Sequence, residues 1–212
     1  MTTKIQTRAM FATAAIGLGL IAIPTAAAAR PSSSTVNATL TQLNGSGVNG
    51  SATVTVTGNR LEASFDAIGL LAGSPHAAHI HFGKTAAHEC PTDGAAGADG
   101  QLATLEGLPF YGPVVVSFTL FGDTSARSVL AIDRFSTADD GTISYDRAIK
   151  TQGSVAKAIA AGQGVVVIHG VDYNDNGEYD IAAGMSDLNP ALPAEATDLA
   201  ACGVLEVGVL ED

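Results

Sequence analysis

Alternating apolar and polar residues along the chain predict a series of short β-strands. Residues 51–57 alternate strictly between Ser or Thr and Ala or Val, as in a strand with one buried face. Gly58 and Asn59 form a turn, after which residues 60–67 return as the second strand of a hairpin. Residues 165–169 are nearly all apolar and predict a deeply buried strand. Further strands are predicted at residues 36–43, 77–82, 113–120, 129–135, 142–145 and 203–210.

This succession of strands predicts an all-β protein. The pattern gives about eight strands, one short helix at residues 154–161 and two long loops, one of which covers residues 83–107. The 24 glycines fit frequent tight turns. We therefore expect an antiparallel Greek-key barrel or sandwich. Residues 36–212 are predicted to form a single domain, preceded by a short Ser-rich leader at residues 30–35.

The N-terminal residues depart from this pattern and predict a secretory signal peptide over residues 1–29. Lys4 and Arg8 give a basic start, residues 9–23 form an apolar run, and small residues up to Ala29 offer a cleavage site. The apolar run is shorter than the roughly 20 residues that a membrane span requires. We therefore expect export, to the cell envelope or the medium, with no membrane span.

The net charge limits the expected binding partners, and the cysteine content indicates the redox compartment. The net charge is −11, and loss of Lys4 and Arg8 with the signal peptide would make it −13. A surface of this sign repels nucleic acid and anionic lipid, so neither is an expected partner. Cys90 and Cys202 are the only cysteines, and in an exported chain such a pair predicts a disulfide, with two free thiols as the alternative.

Histidine is scarce, and its positions suggest a metal site. Residues two apart in a strand point to the same side, so His79 and His81 would present two imidazoles together. Imidazole binds copper, zinc, iron and nickel. His169, at the end of the apolar strand, is the candidate third ligand, and His88 or His76 is a candidate for a fourth. In the alternative, these rings are structural and form hydrogen bonds to backbone or carboxylate groups.

A second motif has the appearance of a cation site. Asp172, Asn174 and Asn176, followed by Gly177, open like a calcium-binding loop. Position 12 of that loop is Ala183, where a closing carboxylate would be required. We therefore expect a polar turn here, and no calcium.

Five segments carry a resemblance to a known family. They are a Gly-rich hairpin, a Gly-Leu turn, a His-x-His strand, a Val-rich strand ending in His, and a final strand with Cys. Their positions are residues 43–50, 68–76, 79–83, 165–177 and 200–205. In this order they resemble the copper/zinc superoxide dismutases. The resemblance implies a Greek-key barrel, a copper-dependent oxidoreductase activity and superoxide as the substrate.

The resemblance also implies roles for particular residues. His79, His81 and His169 match copper ligands of the family, and Cys90 and Cys202 match its disulfide. No zinc site is implied, because no histidine lies between Cys90 and His169 to act as bridging ligand.

A further departure concerns the substrate. Leu199 stands where the family has a substrate-guiding arginine, and Asp198 beside it carries the wrong charge for attracting an anion.

Residues 77–81 and 94–100 also resemble bacterial CHRD domains, which are exported β-proteins. The alternative hypothesis is therefore a non-catalytic module of similar shape, for metal binding or for cell-surface interaction.

Overall fold

A computed structural model of the chain describes residues 1–3 and 32–208. The predicted signal peptide, apart from its first three residues, lies outside these described residues. In the described part of the chain, no helix has both the length and the apolar character needed to cross a membrane.

The strands described are β1 (Ser33–Gln42), β2 (Asn49–Thr57), β3 (Arg60–Ile68), β4 (Ala78–His81), β5 (Val114–Ser117), β6 (Thr142–Lys150), β7 (Val165–His169), β8 (Leu199–Val204) and β9 (Glu206–Val207). The α-helices described are α1 (Thr104–Tyr111) and α2 (Gly153–Ala160).

The strands form one curled antiparallel sheet, which confirms the predicted all-β barrel class. Their order is β5-β4-β7-β8-β1-β2-β3-β6, and β9 pairs with β1. The connections from β3 to β4 and from β6 to β7 therefore cross between distant parts of the sheet, as in a Greek key. Strands β5 and β6 stand at the two ends of this order. Arg147 of β6 donates a hydrogen bond of 2.6 Å to the carbonyl of Thr119, just beyond β5, and so joins the two ends.

The hairpin of β2 and β3 forms as predicted, with one buried face. Ala52, Val54 and Val56 are buried, and the residues between them face outward. Inside the barrel, the ring of Phe65 lies 5.4 Å from Phe118 and 5.3 Å from Tyr145, between ring centroids. Burying an apolar side chain of this kind stabilises the fold by about 1.5–3 kcal/mol relative to leaving it exposed.

A second apolar cluster covers the outer face of β7 and β8. Val166 and Ile168 point into the barrel, whereas Val165 and Val167 pack outside it. Their outer partners include Leu102 and Tyr111, from the long connection between β4 and β5. The long loops thus form a layer over the sheet, and His79, His81 and His169 lie beneath that layer.

Several predicted elements differ in the structure. Residues 129–135 are not a strand. They lie among short 3-10 turns at Ala126–Ser128 and Ile132–Arg134, and Val129, Leu130 and Ile132 line a pocket. The predicted loop at residues 83–107 ends in α1, which contains Pro109. Four strand boundaries also differ: β1 begins within the predicted leader, β5 is shorter than predicted, β6 runs on to Lys150, and β8 begins at Leu199.

Candidate metal centre

Two neighbouring strands place the three candidate histidines on one face of the sheet. In β4, Ala78 and Ile80 enter the barrel core, so His79 and His81 point to the outer side. Strand β7 pairs antiparallel with β4, and the amide of His169 donates a hydrogen bond of 2.8 Å to the carbonyl of Ala77. His169 therefore lies beside the His-x-His pair, as the sequence predicted.

The three imidazoles converge in a buried cluster. One ligand nitrogen from each lies within 4.8 Å of the other two. The ring centroid of His79 is 5.8 Å from that of His81 and 5.2 Å from that of His169. The side chains are 1%, 1% and 3% exposed, respectively. This geometry could hold a metal ion.

Backbone carbonyls fix the orientation of two of the rings. Nδ1 of His81 donates to the carbonyl of Gly112 at 2.8 Å, and Nδ1 of His169 donates to that of Thr197 at 2.6 Å. Their Nε2 atoms, and both ring nitrogens of His79, are buried and have no hydrogen-bond partner within the described residues. Metal-binding histidines are typically held in this way, with one nitrogen anchored and the other free.

Burial keeps these imidazoles neutral. It lowers the pKa of His81 to about 3 and that of His169 to about 4. Burial also holds the pKa of His79 well below its usual value, and the neighbouring His169 and His81 lower it further. Neutral imidazole is the form that binds metal, and these shifts keep the three rings in that form at mildly acid pH.

The two other candidate histidines lie outside the cluster. Nδ1 of His76 is 2.9 Å from the carbonyl of His169, and the hydroxyl of Tyr179 lies 3.1 Å from its ring nitrogens. His76 therefore supports the end of β7. Nε2 of His88 donates to the carbonyl of Gly83 at 2.7 Å, and its ring stacks on Phe82. The structure does not bring His88 to the other three.

The calcium-like motif forms the expected polar turn. The carboxylate of Asp172 accepts hydrogen bonds from the amides of Asn176 and Gly177, at 3.2 and 2.8 Å. The side-chain amide of Asn176 donates to Asp180 at 2.6 Å, and the oxygen of Asn174 accepts from the amide of Asn176. These side chains therefore bond to the loop itself.

The predicted disulfide between Cys90 and Cys202 is present. The two Cα atoms are 5.7 Å apart, and the cysteines are separated by 112 positions in sequence. Cys202 lies in β8 opposite Val167 of β7, on the outer face of the sheet. The bridge thus ties the loop before α1 to the strands beside the histidine cluster.

The cluster opens into a pocket with a volume of about 390 Å³. Its walls come from β4, α1, the turns near residue 130 and the loop at residues 188–197. None of the described residues lining it is Lys, Arg, Asp or Glu. No sequence pattern indicates this pocket, because its walls combine short segments that are far apart in the chain.

A buried acid lies close to the cluster. Asp198 is 1% exposed and follows Thr197, the carbonyl partner of His169. Its Oδ2 accepts a hydrogen bond of 3.1 Å from the hydroxyl of Tyr173, whereas its Oδ1 has no partner within the described residues. Burial raises the pKa of this carboxyl to about 7.

Asp198→Asn is expected to raise the free energy of unfolding of the metal-free protein by about 1–2 kcal/mol at pH 8, and by less at pH 5. The raised pKa means that the folded protein binds more protons than the unfolded chain at intermediate pH, so that Asp198 costs more stability as pH rises towards 7. Asn removes the charge and keeps an oxygen for Tyr173. Urea unfolding at both pH values measures the difference, and an equal effect at the two would contradict the prediction.

The fold and the cluster together define an all-β, disulfide-linked protein with a buried three-histidine site that could bind a metal ion. No family model matches this chain, and a search of curated proteins finds no match to it.

Proposed function

We propose that this protein is an exported metalloprotein that binds one copper ion through His79, His81 and His169. The observation that carries the proposal is the set of buried ring nitrogens without hydrogen-bond partners in the cluster. Leaving a buried polar atom without a partner costs about 1–3 kcal/mol, and a bound cation would remove that cost. The residues present therefore fit the metal that the resemblance implies.

The donor set and the compartment favour copper among the divalent metals. Three neutral imidazoles accept copper or zinc, but affinity for the same site rises through the series to a maximum at Cu²⁺. The disulfide fits an oxidising compartment, in which cytosolic thiols do not compete for copper. The resemblance to the superoxide dismutases assigns the same three residues to copper.

The pocket favours metal binding over fast dismutation of superoxide. Bound copper would supply one-electron chemistry, but capture of a small anion requires positive potential at the entrance. The lining residues include no Lys or Arg, and the net charge of the chain is −11. These observations support the alternative of a module that binds metal without dismutase activity.

Titration of the metal-free protein with Cu²⁺ and Zn²⁺ tests the proposal. We expect one Cu²⁺ per chain, tighter binding than Zn²⁺, and nitrogen hyperfine coupling in the electron paramagnetic resonance spectrum. Binding should persist at pH 5, since the pKa values of about 3 and 4 leave His81 and His169 neutral there. Calorimetry measures stoichiometry and affinity at pH 5 and 7.5.

Absence of saturable copper binding at both pH values would overturn the proposal. Zinc binding more tightly than copper would overturn the choice of metal. A superoxide-decay assay on the copper-loaded protein, with free Cu²⁺ removed by a chelator because it catalyses the decay by itself, then separates the two functions: a dismutase accelerates the decay above the rate with the metal-free protein.

A further inference from the structure

The pocket beside the histidine cluster is almost wholly apolar. Leu108 of α1, Val114 of β5 and Val129 line it, together with Leu188 and Leu192 of the loop before β8. A volume of about 390 Å³ lies within the range of roughly 300–1,000 Å³ that is typical of small-molecule sites. Pockets of this kind bind apolar ligands and use a few polar groups to orient them.

The polar side chains in the wall are mostly engaged elsewhere. The hydroxyl of Thr104 donates to the carbonyl of Thr197 at 2.6 Å, and the hydroxyl of Thr197 donates to Ser186 at 2.7 Å. The side-chain oxygen of Asn189 accepts from the amide of Ala191 at 3.0 Å. The imidazoles of His79, His81 and His169 also belong to the lining, and their ring nitrogens without hydrogen-bond partners are buried in this wall.

The rim of the pocket is apolar as well. Leu130 and Ile132 line the pocket and are also 41% and 42% exposed to solvent. In the metal-free protein, an ionic ligand would lose its hydration here without meeting a charged side chain, which is strongly unfavourable. An apolar ligand would instead remove both the pocket lining and these rim side chains from water.

We infer that this pocket binds a largely apolar organic molecule that directs a single nitrogen or oxygen donor at the three histidines. The part of the inference that concerns the donor rests on the proposed copper site, whereas the apolar part rests on the pocket alone. A volume of about 390 Å³ admits a molecule with one or two aromatic rings. The site thus selects ligands by apolar contact and by one donor atom.

Two azoles, compared at pH 8.5 so that both are neutral, test the inference on the copper-loaded protein. Imidazole and 4-phenylimidazole offer the same donor, and only the second adds an apolar ring. We expect 4-phenylimidazole to bind at least about tenfold more tightly, since burying a phenyl ring in an apolar site is favourable. The shift of the copper absorption and paramagnetic resonance bands reports binding at each concentration.

Leu130→Asp should abolish this preference, because it places a charge at the apolar rim. Leu120→Asp is the matched control: Leu120 is 54% exposed and does not line the pocket. Both variants alter exposed side chains, so both should fold and bind one copper ion. Equal affinity of the wild-type protein for the two azoles would overturn the inference.

The metal-free protein separates this inference from the proposed function. The fluorescence of 1-naphthol, which is neutral at pH 7, should change on binding to the wild-type protein and to Leu120→Asp, but not to Leu130→Asp. If the protein binds no copper, the proposed function fails and the naphthol result decides the apolar part alone. If the wild-type protein binds naphthol and Leu130→Asp does not, the apolar part of the inference is supported. If the wild-type protein binds no naphthol, the apolar part is overturned.

Discussion

Replacing His169 by Ala is expected to lower the affinity of the protein for copper by at least about 100-fold. His79 and His81 come from one strand, and His169 is the ligand from β7 that completes the buried set. Loss of groups that merely orient metal ligands already costs roughly 10–100-fold in affinity, so loss of a ligand itself should cost more. Competition with a chelator of known affinity measures the change.

A second substitution tests whether copper binding is lost because the protein fails to fold. His169→Gln fills nearly the same volume as His169 and replaces the imidazole by a neutral amide. We expect His169→Gln to show a cooperative unfolding transition close to that of the metal-free wild type, yet to bind copper poorly. This combination would separate the role of the imidazole in metal binding from its role in packing.

His88→Ala is the matched control for these two variants. His88 was the sequence candidate for an additional ligand, but its ring bonds to Gly83 and stacks on Phe82, away from the cluster. Its substitution should leave copper affinity within about twofold of wild type, because no ligand is removed. If His88→Ala weakens copper binding as much as His169→Ala does, or if neither weakens it, the cluster is not the copper site.

Much of the fold follows from local pattern. The alternation in residues 51–57 requires a strand, because only a period of two places Ala52, Val54 and Val56 on one side. The same period predicts that His79 and His81 share a face, and both predictions are confirmed. These inferences succeed because they depend only on residues that are near each other in the sequence.

Other features depend on tertiary contacts and could not be derived from pattern. Residues 129–135 have the apolar content of a strand, but they find no strand partner and line the pocket. The groups that orient the rings of His81 and His169 are the carbonyls of Gly112 and Thr197, and a backbone carbonyl has no sequence signal. In the same way, only the fold shows that His76 and His88 lie outside the cluster, because it places each ring beside a backbone carbonyl.

The disulfide is expected to make a large contribution to stability. Removing it in the double variant Cys90→Ser, Cys202→Ala should lower the free energy of unfolding by about 4–5 kcal/mol, because the bridge closes a loop of 112 positions and restricts the unfolded chain. Ala is chosen at position 202 since this side chain is buried and a hydroxyl would lack a partner. Urea unfolding of the metal-free proteins measures the difference.

The same variant should also weaken copper binding, by roughly tenfold. The amides of Ala87 and His88, next to Cys90, donate to the carbonyls of Pro109 and Phe110. Gly112, the partner of His81, follows directly after this segment, so the bridge helps to hold one of the metal-binding rings.

Reduction of the wild-type protein is the matched control, because it breaks the bridge without changing a side chain's volume. The reduced protein and the double variant should lose stability to a similar extent. A variant that unfolds more easily but binds copper as tightly as wild type would show that α1 holds His81 without the bridge. A variant that is as stable as wild type would show that the loop is restrained by its packing alone, through Tyr111 and Leu102 against the outer face of β7.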